Sequence, residues 1–212
     1  DGVVDWPGHV GFGIDSGTRS PGSPCREGVH RITGEMGWAS GVGGLYQTID
    51  VANGAYIVSG WIAANFDGGD EIAEIVAVDG GFSPGIPSGT TVGRLTSTTD
   101  WTRFTNVVDV ASGKLTVALR ASQWWAVNVI TAHFDGITVT PAVRGGIGTL
   151  KALQAGSSGV TNEPKVVSAV PDAYTLYAQD EDRTAGIMVS TISPHGCSVG
   201  DRVSFCGVLA VD

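Results

Sequence analysis

Leu45-Tyr-Gln-Thr-Ile-Asp-Val51, the turn Asn53-Gly54, and Ala55-Tyr-Ile-Val-Ser-Gly-Trp-Ile-Ala-Ala64 decide the fold class. The first run alternates apolar with polar residues, the period of a half-buried strand, and Asn-Gly readily takes the positive φ of a tight turn. The second run is apolar and rich in strand formers, so the pair reads as two antiparallel strands joined in a hairpin. The pattern continues in Trp101-Thr-Arg-Phe-Thr-Asn-Val-Val-Asp-Val110, Lys114-Leu-Thr-Val-Ala-Leu-Arg120, the run from Trp124 to Ile130, and the run from Ile137 to Val139. Glu71-Ile-Ala-Glu-Ile-Val-Ala-Val78 alternates less well and also fits a helical period, but its flanking glycines favour a strand. Short strands at this density, separated by Gly, Ser or Asp, predict an all-β sandwich.

Composition points the same way. Glycine contributes 32 of 212 residues and charged residues only 16%, which excludes coiled coils, charged helical bundles and disordered tails. The net charge of -9 and the lack of any basic cluster longer than a pair argue against a nucleic-acid partner. No apolar run approaches the length of a membrane span, so no membrane insertion is expected. A chain opening at Asp1 without Met or a leader reads as a mature exported chain, which places it outside the cell. Cys197 and Cys206 flank a turn-like segment that strand ends could bridge with a disulfide, as suits an oxidising compartment; two buried free thiols are the plain alternative. Cys25, in a Ser-Pro-Gly loop, is the odd thiol. The four histidines have no metal-ligand spacing.

The first forty residues are loop-rich. Residues 142–148, within Pro141-Ala-Val-Arg-Gly-Gly-Ile-Gly148, read as a linker between a unit over 1–141 and another over 149–212. The second unit opens with a helical turn and continues as four strands, in Lys165-Val-Val-Ser-Ala-Val170, Ala173-Tyr-Thr-Leu-Tyr-Ala178, Gly186-Ile-Met-Val-Ser190 and the run from Arg202 to Val211. Asp180-Glu-Asp-Arg183 caps a hairpin between the second and third of these.

Gly196-Cys-Ser-Val-Gly200 has the spacing of a nucleophile elbow, but no helix or downstream histidine follows, so Ser198 reads as a turn residue rather than a catalytic one. Asn65, Asp67, Asp70 and Glu71 offer hard oxygens for calcium but lack the EF-hand register, which favours a solvated loop. Six tryptophans invite the reading of flat rings that stack on sugars. Trp124-Trp125 carries it best, because neighbouring strand residues face opposite ways and one of the two must reach a surface. Tyr46 and Trp61 fall on predicted strands, where the core is the commoner place for an aromatic ring. Trp101 opens a strand.

Three stretches of the first unit, Glu27-Gly-Val-His-Arg-Ile-Thr33, the pair of runs from Gly44 to Trp61, and His133-Phe-Asp-Gly-Ile-Thr-Val139, resemble the jelly-roll carbohydrate-binding modules that accompany secreted glycoside hydrolases. That resemblance implies a jelly-roll β-sandwich, polysaccharide as a partner, and a structural calcium near the closing strand, where Asp135 stands at the acidic position. The second unit resembles the small OB-fold-like domains of bacterial secreted proteins through Tyr174-Thr-Leu-Tyr-Ala-Gln-Asp-Glu-Asp-Arg183, Gly186-Ile-Met-Val189 and Val199-Gly-Asp-Arg-Val203. Such a barrel needs five strands, one more than the four read here, and a barrel short of a strand leaves an open edge that another chain can complete. The expectation is therefore a non-catalytic extracellular structural protein that polymerises head to tail with copies of itself into a fibre. In it a donor arm carrying Val3, Val4, Trp6 and Val10 completes an acceptor edge at Val208, Leu209 and Val211 of the next subunit, although Pro7 weakens the donor. The alternative is a carbohydrate-binding module from a polysaccharide-degrading enzyme, with Trp124 or Trp125 on the sugar.

Overall fold

The computed structural model describes residues 2–4, 11–15, 25–26, 31–37, 40–81, 89–124 and 129–210. Trp6, Val10, Trp125, Val211 and residues 27–30 lie outside them. The chain is all-β and divides into two units, Asp1–Thr140 and Pro141–Asp212.

The first unit is a sandwich of two five-stranded sheets. One has the order β1 (Gly2–Val4), β4 (Gly41–Asp50), β9 (Lys114–Gln123), β6 (Ile72–Asp79) and β7 (Thr90–Leu95). The other runs β2 (Gly11–Asp15), β3 (Arg31–Gly37), β10 (Val129–Gly145), β5 (Gly54–Phe66) and β8 (Thr99–Val110). Alternate residues of both sheets turn inward. Val58 and Ile62 of β5, Ile75 of β6, Leu115 of β9, and Ile130 and Phe134 of β10 are fully buried in one core. Burial of each such side chain stabilises the sandwich by about 1.5–3 kcal/mol. Packing is close where β7 meets β8: a Cβ at Gly93 would overlap the Phe104 ring.

The opening pair of strands corrects the sequence reading. β4 and β5 are not a hairpin, because β4 pairs with β1 and β9 while β5 pairs with β8 and β10. The turn between them carries the chain from one sheet to the other. Gly54 takes a φ of 151° and the Tyr56 hydroxyl donates to the Ala52 carbonyl at 2.8 Å. The physical reason lies in the inward faces: with Ile49 and Val51 on one side and Tyr56 and Val58 on the other, packing across the sandwich buries both apolar rows. The segment from Glu71 is a strand, as its glycines suggested.

Two further expectations change. The backbone of Val3 and Val4 pairs antiparallel with Leu45 and Gly44 of the same chain, so this part of the expected donor arm already has a place in its own sheet. Residues 142–148 are not an irregular linker, since β10 continues to Gly145 and α1 (Ile147–Lys151) follows. Glycine content misled there: Val143, Arg144 and Gly145 pair in parallel with Gly159, Val160 and Thr161.

The second unit holds α1, β11 (Ser158–Thr161), β12 (Lys165–Asp172), β13 (Thr175–Gln179), β14 (Gly186–Ser190), β15 (Arg202–Val203) and β16 (Cys206–Val208). β13 and β14 form the expected hairpin, whose turn places Arg183 at a φ of 61°. β11 was hidden by its Ser-Gly start, and the run from Arg202 breaks at Ser204 into two strands, so four strands was an undercount. The strands divide between a sheet ordered β14, β13, β12, β15 and a second ladder in which β11 lies between the end of β10 and β16. Among the described residues no ladder joins β14 to β16, so both strands end their sheets with an open edge. Its small core gathers Ile147, Val167, Leu176 and Ala178. Beside it Lys165 is buried, with its Nζ donating to Asp180 at 2.7 Å and Glu163 at 3.1 Å. Burial pushes the Lys165 ammonium down, and the hydrogen bonds to Asp180 and Glu163 outweigh that and hold its pKa above the ordinary lysine value.

Candidate functional site

In β5 the core takes Tyr56, Val58, Ile62 and Ala64, which turns Ser59, Trp61 and Ala63 to the outer side of the second sheet. In β10 the core takes Ile130, Ala132 and Phe134, leaving Thr131, His133 and Asp135 on that same outer side. Phe104, Val108 and Val110 fix the parity of β8, so Trp101 and Arg103 join them. Register places Trp61 opposite Arg103 and His133 opposite Thr33. The outer face of this one sheet therefore gathers two indoles, an imidazole and several polar groups.

The groups support one another. The Trp101 and His133 rings lie with centroids 6.3 Å apart and planes at 42°, and Ala63 on the same face is buried. His133 Nδ1 and Thr33 Oγ1 share a hydrogen bond of 3.0 Å, and Ser59 and Thr138 share one of 2.8 Å. The Arg26 guanidinium sits 4.3 Å over the Trp61 ring, a cation–π contact, while the Arg26 amide donates to Asp135 Oδ2 at 2.8 Å. Arg31, Thr33, Ser59 and His133 on this face are buried, and Glu35 and Arg103 are exposed. Flat rings flanked by arginine forks, carboxylates and hydroxyls suit a neutral ligand with apolar faces and many hydroxyls.

The outer face of the first sheet is different. Glu74 of β6 points away from the core and is fully buried, with Oε2 accepting from Arg94 Nε at 2.9 Å and Oε1 paired with Arg120. Val76, Thr116 and Ala118 on that side are also buried. Burial pushes the Arg120 guanidinium down.

The expected site residues are dispersed. Trp124, at the end of β9, is 59% exposed, and its amide donates to Asp70 Oδ2 at 2.6 Å. Trp61 and Tyr46, read as core, are both half-buried and both face outward. Their strands could have said so: Ser59 shares the parity of Trp61, and Thr48 and Asp50 share that of Tyr46. The contribution of Arg26, from the loop segment, left no signal in the sequence. Asp135 accepts from the amides of Arg26 and Gly136, and no group of three His, Cys, Asp or Glu side chains suited to a metal occurs among the described residues.

Cys197 and Cys206 are not bridged. Cys197 packs against the small core of the second unit, whereas Cys206 lies in β16 opposite Val160, and burial pushes its thiol up. Ser198 lies in a turn, its amide donating to Asp201 Oδ2 at 2.7 Å. The neighbouring His195 is occupied by the backbone: Nε2 contacts the carbonyls of Asp172 and Thr175, and Nδ1 accepts from the Cys197 amide. Of the expected acceptor edge, Val208 pairs with Ser158 and the Leu209 amide donates to the Ser157 carbonyl.

No protein family matches the chain, and no curated protein matches it. Among solved structures it is similar to the carbohydrate-binding module TmCBM61 in complex with β-1,4-galactotriose, at 14% identity and a TM-score of 0.43 over 64% of this chain and 88% of that one. It is also similar to the CBM22-1 and GH10 modules of Clostridium thermocellum xylanase 10B complexed with xylohexaose, at 12% identity and a TM-score of 0.38 over 68% of this chain and 30% of that one. The enzymatically active domain of bacteriophage CBA120 tailspike protein 4 matches at 10% identity and a TM-score of 0.38, over 61% of this chain and 17% of that one. Likeness of this depth does not carry over to function.

Proposed function

We propose that the chain is a non-catalytic polysaccharide-binding protein that works outside the cell, and that the outer face of β3, β10, β5 and β8 receives the glycan. One observation carries the reading. None of the three described tryptophans, Trp61, Trp101 and Trp124, belongs to the hydrophobic core, which is built from aliphatic residues with Tyr56 and Phe134. A sandwich that leaves its largest apolar rings at the surface has them placed for a ligand. Trp101 offers a ring for a pyranose to stack on, Arg26 and Trp61 form its flank, and Arg103, Glu35 and Thr131 supply hydrogen bonds to hydroxyls. Trp124 provides a separate contact at the end of β9. The fibre reading takes second place, because β1 is paired within its own chain.

Native gels cast with β-1,4-galactan, xylan or no glycan provide the test. At least one polysaccharide retards the chain, and Trp101→Ala weakens that retardation tenfold or more while Trp124→Ala weakens it less. Equal retardation of the wild type and a Trp61→Ala/Trp101→Ala double variant overturns the assignment to this face.

A further inference from the structure

The second unit contains a groove of about 650 Å³ bounded by two strand edges that face each other. One wall is β14, the last strand of its sheet; the other is β16, the last strand of its ladder. Among the described residues each has a partner on one side only, β13 and β11 respectively. A strand edge presents a row of amide N–H and carbonyl groups at the strand period, and two such rows across one groove are matched by a third extended backbone. A sugar or small molecule does not present that spacing.

The side chains agree. Leu150, Ile187, Val189, Phe205 and Leu209 give the groove an apolar lining. Tyr177, Met188 and Val208, which also line it, are 41%, 43% and 67% exposed, a concentration of uncovered apolar surface unusual for a unit with so small a core. The charged residues lining the groove are Lys151 and Arg183, with no acid among the lining residues, although the chain as a whole carries -9. A cationic groove in an acidic protein favours an anionic occupant.

From these observations we infer that the groove accepts an extended β-strand of a different polypeptide, apolar at alternate positions and acidic between them. The strand adds to the edge of β14 or β16, or bridges both, so that its backbone completes the ladders. Its apolar side chains enter among Ile187, Val189 and Leu209, and its carboxylates meet Lys151 and Arg183. On the β16 side the edge at Val208 is the acceptor, since the amide and carbonyl of Leu209 already bond Ser157 and Gly156.

The test uses the full chain and a fluorescent seven-residue peptide that alternates valine with threonine and aspartate, followed by anisotropy. Saturable binding is expected, weakened at high salt. A peptide N-methylated at every amide should bind at least tenfold more weakly, because it cannot donate along either edge. Gly207→Trp should abolish binding: a Cβ at Gly207 meets no atom within 4 Å, so the new ring occupies the groove without displacing the core. Lys151→Gln should reduce affinity and flatten the salt dependence while circular dichroism remains that of the wild type. No binding, or equal binding of the N-methylated peptide, overturns the proposal. A dimer in sedimentation equilibrium that Gly207→Trp dissolves also overturns it, in favour of edge-to-edge pairing between two copies.

Discussion

The two outer faces of the first unit obey the same alternation and yet come out opposite in character. On the β4, β9, β6 side the outward positions hold Glu74, Thr116 and Ala118, all buried, with Glu74 closed by ion pairs to the half-buried Arg120 and to Arg94. On the β3, β10, β5, β8 side they hold the half-buried rings of Trp61 and Trp101 and the buried His133, beside the exposed Glu35 and Arg103. Parity along a strand thus decides which way a side chain points, and nothing more. Whether the outward row is sealed or presented depends on what packs over it from elsewhere in the chain.

The contrast breaks first at Glu74. Glu74→Ala leaves the half-buried Arg120 without its buried carboxylate partner and should cost about 3 kcal/mol, read as a shift in the urea midpoint. Trp101→Ala, on the presented face, should cost no more than about 1 kcal/mol while abolishing glycan retardation. If the tryptophan variant proves as destabilising as the glutamate variant, the presented face is structural after all.

Lys165 extends the comparison to the second unit, where it is the sealed charge. Lys165→Met leaves Asp180 without its closest cation and should cost about 2 kcal/mol. Because the folded state raises the lysine pKa, its stabilisation is fully present below the ordinary value of 10.5 and is lost as pH climbs through the raised value. The unfolding midpoint of the second unit should therefore hold between pH 8 and 10 and fall at higher pH, with that fall reduced in Lys165→Met. A fall of equal size in both proteins removes Lys165 from the account.

The smallest expected effect concerns the thiols. All three cysteines should titrate as free thiols in denaturant without reductant. In the native protein Cys206 should react with iodoacetamide several-fold more slowly than glutathione, since burial disfavours its thiolate. A titre of one thiol would restore the bridge between Cys197 and Cys206.

Most strands were legible, including the one from Ile72 to Asp79, because apolar alternation and glycine punctuation are local signals. Their partners were not. Asn53-Gly54 is as good a turn within one sheet as between two, and only the packing of Ile49 against the row from Tyr56 to Ala64 distinguishes them. The Ser-Gly start of β11 and the glycines at the end of β10 concealed a ladder whose stability comes from pairing rather than propensity. Trp124 was legible as a surface residue; the cluster of Trp61, Trp101, His133 and Arg26 was not, because it joins residues from three strands and a loop that are neighbours only after folding.

The pairing of β4 with β9 sets the order in which this chain becomes a protein at the ribosome. Its register joins Gly41 to Gln123 and Asp50 to Lys114, so β4 emerges roughly sixty to eighty residues ahead of its principal partner. At about 5–20 residues per second, that gap leaves β4 waiting for roughly 3 to 16 s. During that interval β1 is the one ladder partner of β4 among the described strands, and the sheet closes only when its later half has been made.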